Sequence, residues 1–166
     1  MAKYSLPTVL GACALVLCTA GRGAADDATK EKAVSFEQHS GYFESNKSGL
    51  KGPVSYLVFT DRTDFDKVFG VAFTMGRRPN ILPKDAFKTR MAFAVIKRGD
   101  SIWTYKVDKV TAKEGTLTVT YAATSRGAGG TARYASPLIV SVDKGDYSRI
   151  VFVENGKTVD TIKVSK

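Results

Sequence analysis

The sequence predicts a mainly β domain with one short helix, arranged as an antiparallel sandwich or a partly closed barrel. Three observations carry that expectation. From residue 90 onward, apolar and polar side chains alternate with a period of two, the mark of half-buried strands. Asn155 and Gly156 separate two such runs, and Asn-Gly is a strong hairpin signal because a type I′ turn needs positive φ at both central positions. Helical spacing occurs in one stretch, just after residue 60.

Taken in order, residues 53–60 (PVSYLVFT) are rich in β-branched and aromatic side chains and read as a strand. Thr63, with Asp66 three residues on, resembles a capping box, and Phe65, Val68, Phe69 and Ala72 recur at helical spacing. An amphipathic helix is therefore expected against the sheet, ending by about Met75 because Gly70 and Gly76 weaken it. Residues 76–84, with two prolines and a glycine, form a loop. Strands follow at 90–98 and 101–110 around a Gly99–Asp100 turn, with Trp103, Tyr105 and Val107 on one face. A turn at Glu114–Gly115 leads into 116–121, where Leu117, Val119 and Tyr121 alternate with three threonines. Strands at 136–142 and 149–154 flank a turn at 144–146, and residues 157–164 complete the last hairpin.

The N-terminus reads as an export signal. Lys3 is the only early charge, an apolar run covers residues 6–20, and small residues precede Asp26 and Asp27. Residues 1–25 are thus expected to be a signal peptide cut after Ala25, with Ala20 the second choice, delivering the protein to the periplasm or the extracellular space. The run is shorter than the roughly 20 residues that span a bilayer, so the mature chain is expected to have no transmembrane segment. Both cysteines, Cys13 and Cys18, fall in this segment; a lipid anchor on either is the weaker alternative, opposed at Cys18 by the bulk of Leu17. Residues 26–32 are expected to be a disordered lead-in and 33–166 a single β-rich domain, large enough to hold a core without disulfides. The first 25 residues carry two basic residues and no acid, which leaves about +7 of the chain's +9 on the mature part. That balance favours acidic partners, although scattered lysines on an ordinary soluble surface explain it as well, since no run of five basic residues occurs.

Catalytic chemistry is sparse. His39 is the only histidine and reads as a surface or loop residue in the polar stretch EQHSGYFES; no G-x-S-x-G elbow holds a serine, and the mature part has no cysteine. No catalytic residue, metal site or cofactor is assigned. Asp61, Asp64 and Asp66 cluster near the start of the expected helix, where negative charge is favourable, and lack calcium-loop spacing.

The distinctive stretch is SRGAGGTARY, residues 125–134. Three glycines within four positions free the backbone to approach a partner, and Arg126, Gly127, Gly129, Gly130, Thr131 and Arg133 are the candidate contact residues. No G-K-[ST] follows, which argues against a nucleotide loop. Arg98, Gly99 and Asp100 spell RGD at an expected hairpin tip and form a secondary candidate loop, although Gly-Asp is also plain turn chemistry. Basic residues at 77, 78, 84, 88, 90, 97, 98, 106, 109 and 113 interleave with Phe87, Phe93, Trp103 and Tyr105, a pattern compatible with polyanion binding. Export disfavours nucleic acid as the partner.

From Val54 onward the order of features resembles the C-terminal domain of the PrcB family, exported bacterial proteins that include a lipoprotein subunit of a surface protease complex. The matching stretches are SYLVFTDRTDFDKVF, AFAVIKRG leading into WTYKVDKV, TLTVTY and SPLIV. Ile102-Trp103-Thr104-Tyr105 stands where that family usually has T-G-G-Y, keeping the tyrosine and not the glycines. GAGGT, residues 127–131, is also similar to the glycine loop of chagasin-type cysteine-protease inhibitors, whose two other binding loops have no counterpart here. Both resemblances imply a non-catalytic β domain that contacts proteins. The expected function is an exported binding or accessory module with a protein partner, such as an envelope protease. The alternatives are a cationic binder of an anionic envelope polymer or lipid, and a hydrolase with an unrecognised carboxylate site.

Overall fold

The computed structural model describes residues 30–72, 78–127 and 131–164. The expected signal peptide and its two cysteines lie outside them. The described residues form a mainly β structure with one α-helix, and two sheets packed face to face make a sandwich. A five-stranded sheet runs β1 (Lys32–Ala33), β7 (Ser101–Lys113), β8 (Thr116–Gly127), β10 (Arg149–Glu154), β11 (Lys157–Lys163); a four-stranded sheet runs β2 (Phe36–His39), β9 (Tyr134–Asp143), β6 (Arg90–Gly99), β4 (Val54–Phe59). A small ribbon pairs β3 (Tyr42–Glu44) with β5 (Phe69–Val71). Of the expected lead-in, Lys32 pairs with Ala112 as the first residue of β1.

Period-two alternation decides what fills the sandwich. Leu117, Val119 and Tyr121 of β8 and Ile150 and Phe152 of β10 point inward, and they meet Phe93, Val95, Leu138 and Val140 from the other sheet. The threonines between them face outward. Strand β6 is apolar almost throughout because it is buried on both faces. Its large side chains, Met91, Phe93 and Val95, enter the sandwich, whereas Ala92 and Ala94 face a second core. Their small size leaves room there for the rings of Phe59, Phe65, Phe69 and Phe87.

The helix above this second core is shorter than expected. Helix α1 (Arg62–Val68) is capped by Asp61, whose carboxylate accepts from the Asp64 N–H at 3.0 Å, rather than starting at Thr63. It ends at Val68 because Phe69, Gly70 and Val71 leave it to form β5. The exposed tip of the Phe43 ring lies over Gly70 of the opposite strand, in the space a Cβ there would enter.

One pairing departs from the antiparallel expectation. Strands β8 and β10 run parallel, from Arg149 opposite Thr116 to Glu154 opposite Tyr121, because β9 crosses to the other sheet between them. The last hairpin forms as expected, with φ of 49° at Asn155 and 80° at Gly156. The Asn155 side chain also exchanges two hydrogen bonds of 3.1 Å with the Ala123 backbone and so extends the β8 ladder.

Candidate functional site

Two connections between the sheets, β6 to β7 and β8 to β9, lie at the same end of the sandwich. Gly99 stands opposite Tyr134 in one sheet, and Ser101 stands opposite Gly127 in the other. The Asp100 turn therefore lies beside Gly127 and Tyr134, the strand residues that flank the second candidate loop. Strand β8 continues through Ser125, Arg126 and Gly127, which the sequence reading places in the loop, because the hairpin with β7 supplies backbone partners as far as Ser101. Gly127 is thus a strand residue with open space where a Cβ would stand. Gly129 and Gly130 lie outside the described residues. Thr131 and Arg133 are exposed, and Arg126 is exposed opposite Ile102. Neither arginine forms an ion pair among the described residues.

Arg98 is held within the chain. Its Nε and Nη2 donate to the Glu44 carboxylate at 2.6 and 2.7 Å, and Nη1 donates to the Ser55 hydroxyl at 3.0 Å and the Gly52 carbonyl at 3.2 Å. Burial alone would raise the Glu44 carboxyl, but hydrogen bonds from Arg98 and Ser48 overcome it and hold the group below its ordinary value. Of the RGD triplet only Asp100 is fully exposed. The Arg98–Glu44 fork also ties residues 45–53 to this end as a third segment. Sequence reasoning passed over that segment, although Gly49, Gly52 and Pro53 mark it as a turn region.

A buried polar cluster lies beneath this end. Lys97 on β6 and Glu154 on β10 form an ion pair between the sheets, with side chains only 10% and 13% exposed. The Lys97 ammonium also lies over the Trp103 ring, 3.9 Å from its centroid. The Tyr121 hydroxyl donates to Glu154 at 3.0 Å, and the Tyr105 hydroxyl donates to the Ser136 carbonyl at 2.8 Å. Burial and then the Glu154 carboxylate push both phenols far above their ordinary value, so they remain donors. The cluster braces the loops from below, joining β6 to β10 across the sandwich. Arg90, likewise, is paired with Glu37 at 2.7 Å. Three members of the basic series at 77–113 are thus consumed internally, and Arg77 lies outside the described residues.

His39 is buried in β2, not on a loop or at the surface. Its Nε2 meets the Ser141 hydroxyl at 2.8 Å. The polar sequence around it hides the strand, because Glu37 and His39 face the second layer, where residues 78–82 cover them; Asn80 bonds to Glu37, Gln38 and Ser40. Burial is the main influence lowering the imidazole pKa; Glu37 and the Asn80 backbone act in the opposite direction, although Nδ1 has no hydrogen bond of ordinary geometry. Ser141 has no exposed surface, whereas His39 borders a cavity shared with Gln38, Trp103 and Tyr105. Among the described residues no three His, Cys, Asp or Glu side chains gather as a metal site, and no helix is long and apolar enough to cross a membrane. Comparison of the chain with family models, with curated proteins and with solved structures finds no match.

Proposed function

We propose that the protein is an exported, non-enzymatic binding module that grips a protein partner with the loop end of its sandwich. The observation that carries this is the convergence of the two connections, with Gly99 opposite Tyr134 and Ser101 opposite Gly127. Loops that vary freely over a braced scaffold are the usual place for recognition. Here the brace is the Lys97–Glu154 pair and the Arg98–Glu44 fork, and the exposed groups above it are Asp100, Arg126, Thr131 and Arg133. Export is supported by the apolar run and small residues that precede Asp26. The likeness to the PrcB family favours an envelope protease as the partner.

The test is co-purification of the tagged protein from envelope extracts. The triple variant Asp100→Ala/Arg126→Ala/Arg133→Ala should lose the main partner, whereas Lys84→Ala/Lys88→Ala, on the opposite layer, should keep it. An identical partner list for all three proteins would sink the reading.

A further inference from the structure

The outer face of the five-stranded sheet is a second surface, separate from the loop end. Register places side chains across it in rows. Lys113, Thr116, Arg149 and Lys163 form one row across β7, β8, β10 and β11. The next row holds Thr111, Thr118, Val151 and Thr161, and the third begins with Lys109 beside Thr120. Lys106 extends the cations along β7, opposite Ala122. Strands lie about 4.8 Å apart, so Arg149 and Lys163 are near neighbours, with Lys113 two strands away. All five cations are exposed.

One carboxylate lies at the edge of these rows: Glu31, just before β1, where the Thr111 hydroxyl and then the Lys109 and Lys113 ammoniums hold its carboxyl below its ordinary value. Glu31 reaches Lys109 at 3.8 Å, and Asp108 is exposed at the β7 bulge between Lys106 and Lys109; five cations against these two acids leave the rows net positive. Lys106, Lys113, Arg149 and Lys163 form no ion pair among the described residues. An excess of positive charge across one sheet face is a field that attracts an opposite polymer. The hydroxyls of Thr116, Thr118, Thr120 and Thr161 stand between the charges as donors and acceptors.

We propose that this face binds an acidic polysaccharide, its cations taking the carboxylates and its threonines the sugar hydroxyls. Two features separate this partner from other polyanions. The rows hold no aromatic ring on which nucleic-acid bases would stack. They also present little apolar surface to insert into a lipid layer, since Val151 and Val153 are half-buried between the threonines and Val159, at the β11 bulge, is a single exposed valine.

The test measures binding of the purified full chain to polygalacturonate, phosphatidylglycerol vesicles and a single-stranded oligothymidylate across a salt series. The expected result is preference for polygalacturonate, weakening steeply with salt through counterion release. Lys113→Gln/Arg149→Gln/Lys163→Gln should bind roughly tenfold or more weakly, with a salt slope reduced by about 2 to 3. Lys51→Gln/Lys84→Gln/Lys88→Gln carries the same charge change elsewhere and should differ by less than about twofold. Single Lys113→Gln and Lys163→Gln variants, each a partial loss, replace the triple should it fail to fold. Equal loss in both triples, no binding to polygalacturonate, or tighter binding to vesicles or oligonucleotide would overturn the proposal. Asp100→Ala/Arg133→Ala should leave this binding intact, which separates it from the loop-end reading.

Discussion

Lys97 and Glu154 show what a single buried pair demands. Removing one partner leaves a charge that the sandwich cannot solvate, so Glu154→Gln should cost about 3 kcal/mol in urea unfolding, and Lys97→Met/Glu154→Leu should recover most of it. Equal midpoints for the single variant and the parent would contradict this role. The inward position of Lys97 was legible from the parity of Phe93 and Val95, but its partner, 57 residues away, was not. His39 carries a pH signature. Its folded pKa is lowered below 6.5, chiefly by burial, so the unfolded chain takes up the proton first. Stability should therefore be full above about pH 6.5 and decline as pH falls below it. His39→Gln should flatten melting temperature between about pH 7.5 and 5, a window above the carboxylate range, and an unchanged slope would exclude the histidine as its source.

Elements were legible where their pattern was strong and local. The strands at 54–59 and 90–163 follow from alternation and turn residues, whereas β2 and β3 were missed because FEQH and YFE are too short and polar to show a period. Helix α1 was placed correctly but ran too far, since the sequence cannot reveal that Phe43 waits to pair with Gly70. The two glycines of this layer should respond differently. Gly41, at φ 80°, lies against Pro79, and alanine there meets both backbone strain and a ring with little freedom. Gly41→Ala should cost about 2 kcal/mol or more. Gly70→Ala should cost under about 1 kcal/mol, because its obstacle is the exposed tip of Phe43, which can swing aside, and alanine suits a strand better than glycine. Chemical denaturation of the two variants checks the order.

For the whole molecule, the sandwich class could be read from the sequence, but the meeting of its loops could not, because adjacency of Gly99 with Tyr134 is a property of strand order. The same limit concealed the cationic rows: Lys113 and Lys163 are 50 positions apart in the chain and share a row only through β8 and β10. Strand order also governs assembly. The β7–β8 hairpin closes locally, whereas the β8–β10 pairing must span β9, which lies in the opposite sheet. Closing so distant a contact is slow. Substitutions at the β8–β10 seam, such as Val151→Ala, should accelerate unfolding while leaving the refolding rate nearly unchanged in stopped-flow measurements. Until that seam closes, the flank of β8 is an open template for a foreign strand, and the chain's exposure to aggregation during biogenesis is set by how quickly its own C-terminal hairpin arrives.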